Sequence, residues 1–195
     1  GTRTKPPCQQ FNGMNDALFM ASRDGLHWTR YRDAWVRPGR DPRNWTQRNN
    51  YPAWGIICES DEAWSMLVSE HYMQPDGVRP RLRRYNVRPW GFVSLHGDFD
   101  GGTVTTKPIV LQGNDLRLNY ATSAAGSVQV ALLDVGGRAI PGYAEADMPA
   151  MYGDEVDAVA TWGSQRDLSP LRGKPLRLRF TLKDADVYSI RSVET

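Results

Sequence analysis

The sequence predicts an all-β protein. Its 195 residues include 18 glycines and 13 prolines, its apolar runs are short, and several segments alternate polar with apolar residues. Frequent turn-forming residues separate short strands, and an alternation with a period of two is typical of a strand with one face in water. We therefore expect an irregular sheet region followed by an antiparallel β-sandwich of the jelly-roll kind.

The tryptophans divide the chain into two predicted regions. Six of the seven precede residue 97 and only Trp162 follows it, and the turn-forming segment 97–102 lies at this change. Residues 1–97 contain 14 Lys and Arg against 9 Asp and Glu, whereas residues 98–195 contain 10 against 13. We expect residues 1–97 to form a Trp- and Arg-rich β region and residues 98–195 to form the sandwich.

Four segments are candidate strands of the first region. They are Ala17–Ser22, Ala53–Glu59, Trp64–Tyr72 and Arg81–Val87. The third could also be a short helix, but strand is favoured because Trp64, Met66, Val68 and Glu70 share one side while Leu67 fits the other.

The second region predicts two hairpins and two further strands. The first hairpin would join Thr103–Gln112 to Asp115–Thr122 around Gly113-Asn114, and the second would join Gly126–Val135 to Arg138–Tyr143. The further strands would be Leu176–Lys183 and Val187–Val193.

Several classes of function lack a signature in this sequence. His27, His71 and His96 have no short metal-ligand spacing, and neither a nucleophile elbow nor a phosphate-binding glycine loop occurs. No apolar run is long enough to span a membrane, and a net charge of +2 is a weak footprint for nucleic acid. We expect no metal, no cofactor, no nucleic acid and no membrane as partners. Cys8 and Cys58 could form one disulfide or remain two free thiols.

A turn motif and a series of short segments carry a family resemblance. The motif runs from Ser22 through Asp24-Gly25 to Trp28 and resembles the Asp-box-like hairpins of β-propeller glycosidases, although Trp28 comes one residue earlier than in sialidases. The further segments are Arg37-Pro38-Gly39, residues 45–55, Glu70-His71-Tyr72, residues 83–95, Thr105–Pro108, Leu116–Tyr120 and Asp184–Ser189. In this order they resemble the end of the propeller, and the sandwich that follows it, in invertase- and arabinanase-like glycoside hydrolases.

The resemblance implies the C-terminal part of such a hydrolase, with the last blade or blades of a five-bladed propeller ahead of the sandwich. Five blades do not fit into the first region, since one blade takes roughly 40 to 50 residues. In that family the nucleophilic aspartate belongs to the first blade and the general-acid glutamate to a Glu-Cys-Pro sequence. Cys58-Glu59-Ser60 has the reverse order, so the acid role is not carried over to Glu59. The resemblance also implies a parent protein that is secreted or in the cell envelope.

The candidate site residues are carboxylates and a group of aromatic and polar side chains. Glu59 and Glu70 are the only glutamates on predicted strands of the first region and are weak catalytic candidates. Alternatively, Glu59 is solvated at a strand end and Glu70 is paired with an arginine such as Arg48 or Arg83. Aromatic rings stack on the C–H faces of sugars, and amides and guanidinium groups bind hydroxyls. The substrate-binding candidates are Trp45, Arg48, Asn49, Asn50, Trp54 and His71.

These observations predict a C-terminal portion of a glycoside-hydrolase-like protein that supports the propeller, contacts carbohydrate and does not catalyse alone. Its expected partners are an oligo- or polysaccharide and the remaining propeller blades. The alternatives are a carbohydrate-binding β-sandwich module without hydrolase activity and a structural interaction domain.

Overall fold

The structure is a computed structural model that describes residues 15–45, 50–72, 74 and 77–195. Within these residues, every regular element is a strand except three short 3-10 turns, so the predicted all-β class is confirmed. The chain separates into two compact units, Gly1–Val87 and Arg88–Thr195. This division precedes residue 97 because the strand Leu95–Gly97 is hydrogen-bonded to the last strand of the second unit.

The first unit begins with a hairpin of β1 (Ala17–Ser22) and β2 (Trp28–Val36). The strands are antiparallel, with Ser22 opposite Trp28 at the turn and Ala17 opposite Val36 at the other end. The predicted strand Ala17–Ser22 is confirmed at both ends.

The remaining strands of the first unit form a small antiparallel sheet. They are β3 (Tyr51–Pro52), β4 (Ile57–Cys58), β5 (Trp64–Glu70) and β6 (Arg81–Val87). The central strand is β5, which pairs along its full length with β6 on one edge and with the short β3 and β4 on the other. The strand prediction for 64–72 is correct as far as Glu70, whereas only Ile57–Cys58 of the predicted 53–59 is strand.

The two faces of this sheet differ in burial. Met66, Val68 and Glu70 are buried on one face, whereas Leu67 and Leu82 on the other are 36% and 68% exposed. The strand ends after Glu70 because His71 has φ 59°, in the left-handed region that strands do not use. The predicted alternation along β5 is therefore present from Met66 to Glu70, and Ser65 on the opposite face is buried as well.

The second unit is a six-stranded antiparallel sheet. Its strands are β7 (Leu95–Gly97), β8 (Gly102–Thr105), β9 (Ile109–Val110), β10 (Asp115–Leu133), β11 (Asp154–Val159) and β12 (Pro175–Val193). The long strands β10 and β12 form the centre, β11 lies beside β10, and β7, β8 and β9 follow one another along the other edge of β12. Whether this sheet is of the jelly-roll kind stays a prediction.

The predicted hairpin around Gly113-Asn114 is wrong. The strands β8 and β9, which lie before these residues, pair with β12 and not with β10. The reason is a close approach to the end of the chain: the Gly113 N–H donates to Ser192 Oγ (2.8 Å) and the Asn114 N–H to the Val193 carbonyl (2.9 Å). The second predicted turn is present, since the Asp134 N–H donates to the Arg138 carbonyl at 2.8 Å.

The core of the second unit follows from the alternation along its long strands. The buried apolar side chains of β10 are Leu116, Leu118, Tyr120, Val128, Val130 and Leu132, and those of β12 are Leu176, Leu178, Phe180, Leu182, Ala185 and Val187. Trp162 joins the same core and donates its indole N–H to the Val130 carbonyl at 2.8 Å. The two strands predicted from Leu176 and from Val187 are one continuous strand, which passes through Asp184 at φ 42°.

Candidate functional site

Two side chains hold the turn that joins β1 to β2. Ser22 Oγ accepts the Gly25 N–H at 2.8 Å, and Asp24 Oδ1 accepts the N–H groups of Leu26 (2.9 Å) and His27 (2.8 Å). Gly25 has φ 74°, which glycine adopts without steric cost. These bonds, above all those from His27, hold the pKa of Asp24 well below its usual range. The Asp24 carboxylate accepts backbone N–H groups of the turn in which it lies, so its role is structural.

Polar side chains gather around the end of β5, and we call this group the Glu70 cluster. Its members are Asp41, Asn44, Asn50, Glu70, His71, Arg81 and Tyr85. Glu70 is fully buried at its centre. Its Oε1 accepts the Tyr85 hydroxyl (2.7 Å) and the Asn44 amide (3.3 Å), and its Oε2 accepts the Arg81 Nε–H (2.8 Å). Both carboxylate oxygens are therefore engaged by the protein itself.

The electrostatics of Glu70 favour the ionised form. Burial alone would raise its pKa, but the hydrogen bonds from Tyr85, Arg81 and Asn44 outweigh burial, and the pKa lies below its usual value. Burial and the same carboxylate raise the pKa of Tyr85 to about 12. A general acid needs a pKa raised toward the working pH. Glu70 is instead an ion-pair partner, mainly of Arg81 and at 3.5 Å of Arg83.

His71 and Asp41 form the outer part of the cluster. His71 Nε2 lies 2.7 Å from Asp41 Oδ2, and the same oxygen accepts Arg81 Nη2 at 3.2 Å. The His71 hydrogen bond and the Arg43 backbone N–H lower the pKa of Asp41. Because an ionised carboxylate only accepts, His71 Nε2 is the donor in this contact. The left-handed backbone of His71 is tied down by its N–H, which donates to Asn44 Oδ1 at 3.3 Å.

The asparagines extend the cluster toward the chain segment before β3. Asn44 donates to the Pro38 carbonyl at 3.1 Å, and Asn50 donates to the Asn44 carbonyl at 3.4 Å. Both side chains are buried, and Asn50 Oδ1 has no hydrogen-bond partner among the described residues. Asn44 is thus bonded both to Glu70 and to Pro38, and these two hydrogen bonds hold the segment that leads to Trp45 in place.

This segment forms a wall of an open cavity of about 480 Å³, which we call the Trp45 pocket. It is lined by Asp16, Arg32, Asp33, Ala34, Arg37, Pro38, Gly39 and Trp45. Trp45 is 50% exposed, and its indole N–H donates to the Gly39 carbonyl at 2.8 Å. The pocket therefore combines a fixed, half-exposed indole with charged side chains of both signs.

Glu59 lies apart from Glu70. It accepts the Ser65 hydroxyl at 2.9 Å and a hydrogen bond from Arg84, and these two bonds lower its pKa. Ser65 and Glu70 occupy opposite faces of β5 and are five residues apart, or roughly 17 Å along a strand. Two carboxylates that act on one glycosidic bond lie about 5 to 9.5 Å apart. The structure therefore does not bring these two glutamates together.

The other sequence-predicted site residues are scattered. Asn50 and His71 are buried in the Glu70 cluster, where their contacts are with the protein, whereas the Trp54 side chain is fully exposed. Arg48 and Asn49 lie outside the described residues. So does Cys8, while Cys58 is an exposed free thiol.

Sequence reasoning missed several members of the Glu70 cluster. They are Asp41, Asn44, Arg81 and Tyr85. Arg81 and Tyr85 lie on one face of β6, opposite Glu70 and Met66 of β5, so the alternation of both strands carried a signal for them. Asp41 precedes Pro42 and caps the short turn that bears Asn44, which is a recognisable start signal.

The second unit has charged clusters of its own. Asp115, which is 2% exposed, accepts hydrogen bonds from Arg166 (2.9 Å) and Arg117 (3.3 Å), and Arg166 is the main cause of its lowered pKa. His96 Nδ1 lies 3.1 Å from Asp186, which raises the pKa of the imidazole. Both clusters join neighbouring strands or loops through opposite charges.

The described part of the chain contains neither a metal-binding cluster nor a membrane-spanning helix. No group of three or more His, Cys, Asp or Glu side chains is arranged there to hold a metal ion. No helix in the same residues has the length and apolar character needed to cross a bilayer.

Comparisons with known proteins give no relative. No protein-family model matches the chain, and neither a curated protein nor a solved structure does.

Proposed function

We propose that this chain is the non-catalytic C-terminal portion of a glycoside-hydrolase-like protein. In this proposal the first unit supplies strands of the last blade or blades of a five-bladed propeller, and the second unit is the sandwich that supports them. The assembled protein acts on carbohydrate, and this portion contributes contacts to the sugar.

The observation that carries the proposal is the exposed apolar surface of the two small sheets in the first unit. A two-stranded hairpin is marginally stable by itself, yet β1–β2 ends in Trp28, which is 57% exposed. On β3 to β6, Tyr51 and Ile57 are 47% and 48% exposed and Leu82 is 68% exposed. Blades of a propeller are packed radially around a channel. Neighbouring blades would cover these side chains.

The environment of the two candidate glutamates supports a portion that does not catalyse alone. Glu70 lies on one face of β5 and Glu59 is bonded to Ser65 on the other face, and hydrogen bonds from arginines and hydroxyls lower the pKa of both. Neither can donate a proton to a leaving group near neutral pH, and they cannot flank one bond.

The test is a glycan-array screen of the full 195-residue chain beside a hydrolysis assay on fructans, arabinans and sialylated sugars. We expect binding without turnover. Hydrolysis would overturn the non-catalytic assignment, and a lack of both binding and hydrolysis would favour the structural interaction domain.

The propeller part of the proposal has a separate test in the gene. We expect the coding sequence upstream of this chain to contain repeated Ser-x-Asp-Gly hairpins similar to the one at Ser22–Trp28. A start codon directly before Gly1 would overturn it.

A further inference from the structure

We infer that the Trp45 pocket is a subsite for one uncharged sugar residue, with the indole of Trp45 as its stacking surface. This inference rests on the proposed function, for which it names the ligand class and the place of contact.

The shape of the pocket suits a small ligand. Its volume of about 480 Å³ lies within the range of roughly 300 to 1,000 Å³ that is usual for small-molecule sites. Trp45 is 50% exposed and is one of the residues that line this space. An indole with an exposed face offers a large apolar area at a low cost in conformational entropy, and the C–H face of a sugar ring matches it.

The indole is held in place before any ligand arrives. Its N–H is bonded to the Gly39 carbonyl at 2.8 Å, and the neighbouring Asn44 is bonded to Pro38 and to buried Glu70. Pro38 and Gly39 belong to the same pocket wall. A preorganised wall loses little freedom on binding, which favours affinity. In this scheme Glu70 and Asn44 are positioning residues, since they act on the pocket through Pro38 and Trp45.

The charges around the pocket decide the class of sugar. Asp16 and Asp33 supply two carboxylates, and Arg32 and Arg37 supply two guanidinium groups, all on exposed residues. Carboxylates accept hydrogen bonds from hydroxyls and guanidinium groups donate them, so lining side chains of either charge can bind a sugar hydroxyl. Because the formal charges cancel, a sugar carboxylate gains no net attraction here. An uncharged ring with free hydroxyls is the better ligand.

The experiment is affinity electrophoresis of the full chain in gels that contain a fructan, an arabinan or a sialylated glycan. We expect retention by at least one uncharged polymer and weaker retention by the sialylated one. Trp45→Ala should lower the affinity for the polymer at least about tenfold, as is usual for a central aromatic anchor. Asp33→Asn changes only an exposed side chain, and we expect a clear loss of retention with the fold intact.

The matched control is Trp90→Ala, which removes a similarly exposed tryptophan (53%) from the second unit. We expect this variant to be retained like the unchanged protein. Far-ultraviolet circular dichroism of each variant separates lost binding from lost folding.

Several outcomes would overturn the inference. If retention is unchanged in both Trp45→Ala and Asp33→Asn, the Trp45 pocket is not the sugar subsite and carbohydrate binds elsewhere in the chain. A larger loss from Trp54→Ala than from Trp45→Ala would place the stacking surface on residues 51–58. Preferential retention by the sialylated gel would refute the uncharged ligand. Hydrolysis of the polymer would overturn the non-catalytic assignment without affecting the pocket, and no retention in any gel would overturn both the pocket and the proposed sugar contact.

Discussion

Replacement of Glu70 by Gln tests the centre of the first unit. The substitution keeps the size of the side chain but removes the charge that Arg81, Tyr85 and Asn44 stabilise. Breaking a fully buried ion pair costs about 3 to 5 kcal/mol. The Arg81 side chain is 47% exposed while that of Glu70 is 1% exposed, so water can take over part of the arginine's solvation. We therefore expect a loss of about 2 to 3 kcal/mol in the free energy of unfolding of the first unit.

The assay is urea unfolding followed by tryptophan fluorescence, since five of the seven tryptophans lie in the first unit. Glu59→Gln is the matched control, because Glu59 is also paired with an arginine of β6 but its side chain is 38% exposed. We expect its unfolding midpoint to stay close to that of the unchanged chain. Equal losses of unfolding free energy in the two variants would refute the reasoning, since burial of the carboxylate would then make no difference to the strength of the ion pair.

The same carboxylate predicts how the stability of the first unit depends on pH. The pKa of Glu70 is lowered on folding, so its contribution is fully present above the ordinary value of 4.5 and is lost as the pH falls through the lower folded-state pKa. Glu70→Gln should therefore flatten the acid limb of the unfolding midpoint plotted against pH. An unchanged acid limb in this variant would contradict the assignment.

Three further predictions concern single sites. Asp24→Asn should raise the hydrogen-exchange rates of the Leu26 and His27 backbone N–H groups, which donate hydrogen bonds to this carboxylate. In the unchanged chain the lowered pKa of Asp24 keeps the carboxylate ionised, so both N–H groups should stay protected down to about pH 4. The raised pKa of His96 means that its pairing with Asp186 stabilises fully below pH 6.5 and is lost as the pH rises through the folded-state pKa; an NMR titration should give a pKa above 6.5 that returns toward this value in Asp186→Asn. Gly113→Ala places a Cβ 2.2 Å from a backbone oxygen and should cost at least about 2 kcal/mol of unfolding free energy in thermal or urea unfolding, whereas Gly102→Ala, with open space around its Cβ, should cost less.

Local pattern was sufficient for many strands of the fold. Ala17–Ser22 and Arg81–Val87 were predicted with their observed ends, and alternation predicted the two faces of the strand that begins at Trp64. The turn motif after Ser22 was recognised from its Asp-Gly pair, and the hydrogen bonds of Ser22 and Asp24 form that turn. These features depend on residues that are close in sequence, so the composition of a short segment is enough to specify them.

Strand pairing was decided by contacts over long sequence separations. The strands β8 and β9 pair with β12, more than 60 residues later, instead of with the nearby β10. Alternation specifies which face of a strand is apolar but does not name its neighbour. Gly113 and Asn114 pack against the end of β12, and this contact selects the pairing. The sequence around residues 113 and 114 does not by itself indicate that the distant end of the chain lies beside them.

The candidate site shows the same division. The residue types of Glu70, His71, Asn50 and Trp45 marked them as polar or aromatic residues worth attention, and the pairing of Glu70 with an arginine was foreseen as one alternative. Their roles depend on tertiary contacts, since burial makes Glu70 an ion-pair centre and leaves Trp45 as the exposed ring. Amino-acid sequence alone therefore specified the chemistry that each side chain can perform. Burial, charge neighbours and strand register, which arise only when distant segments pack together, decided which side chains are accessible to a ligand.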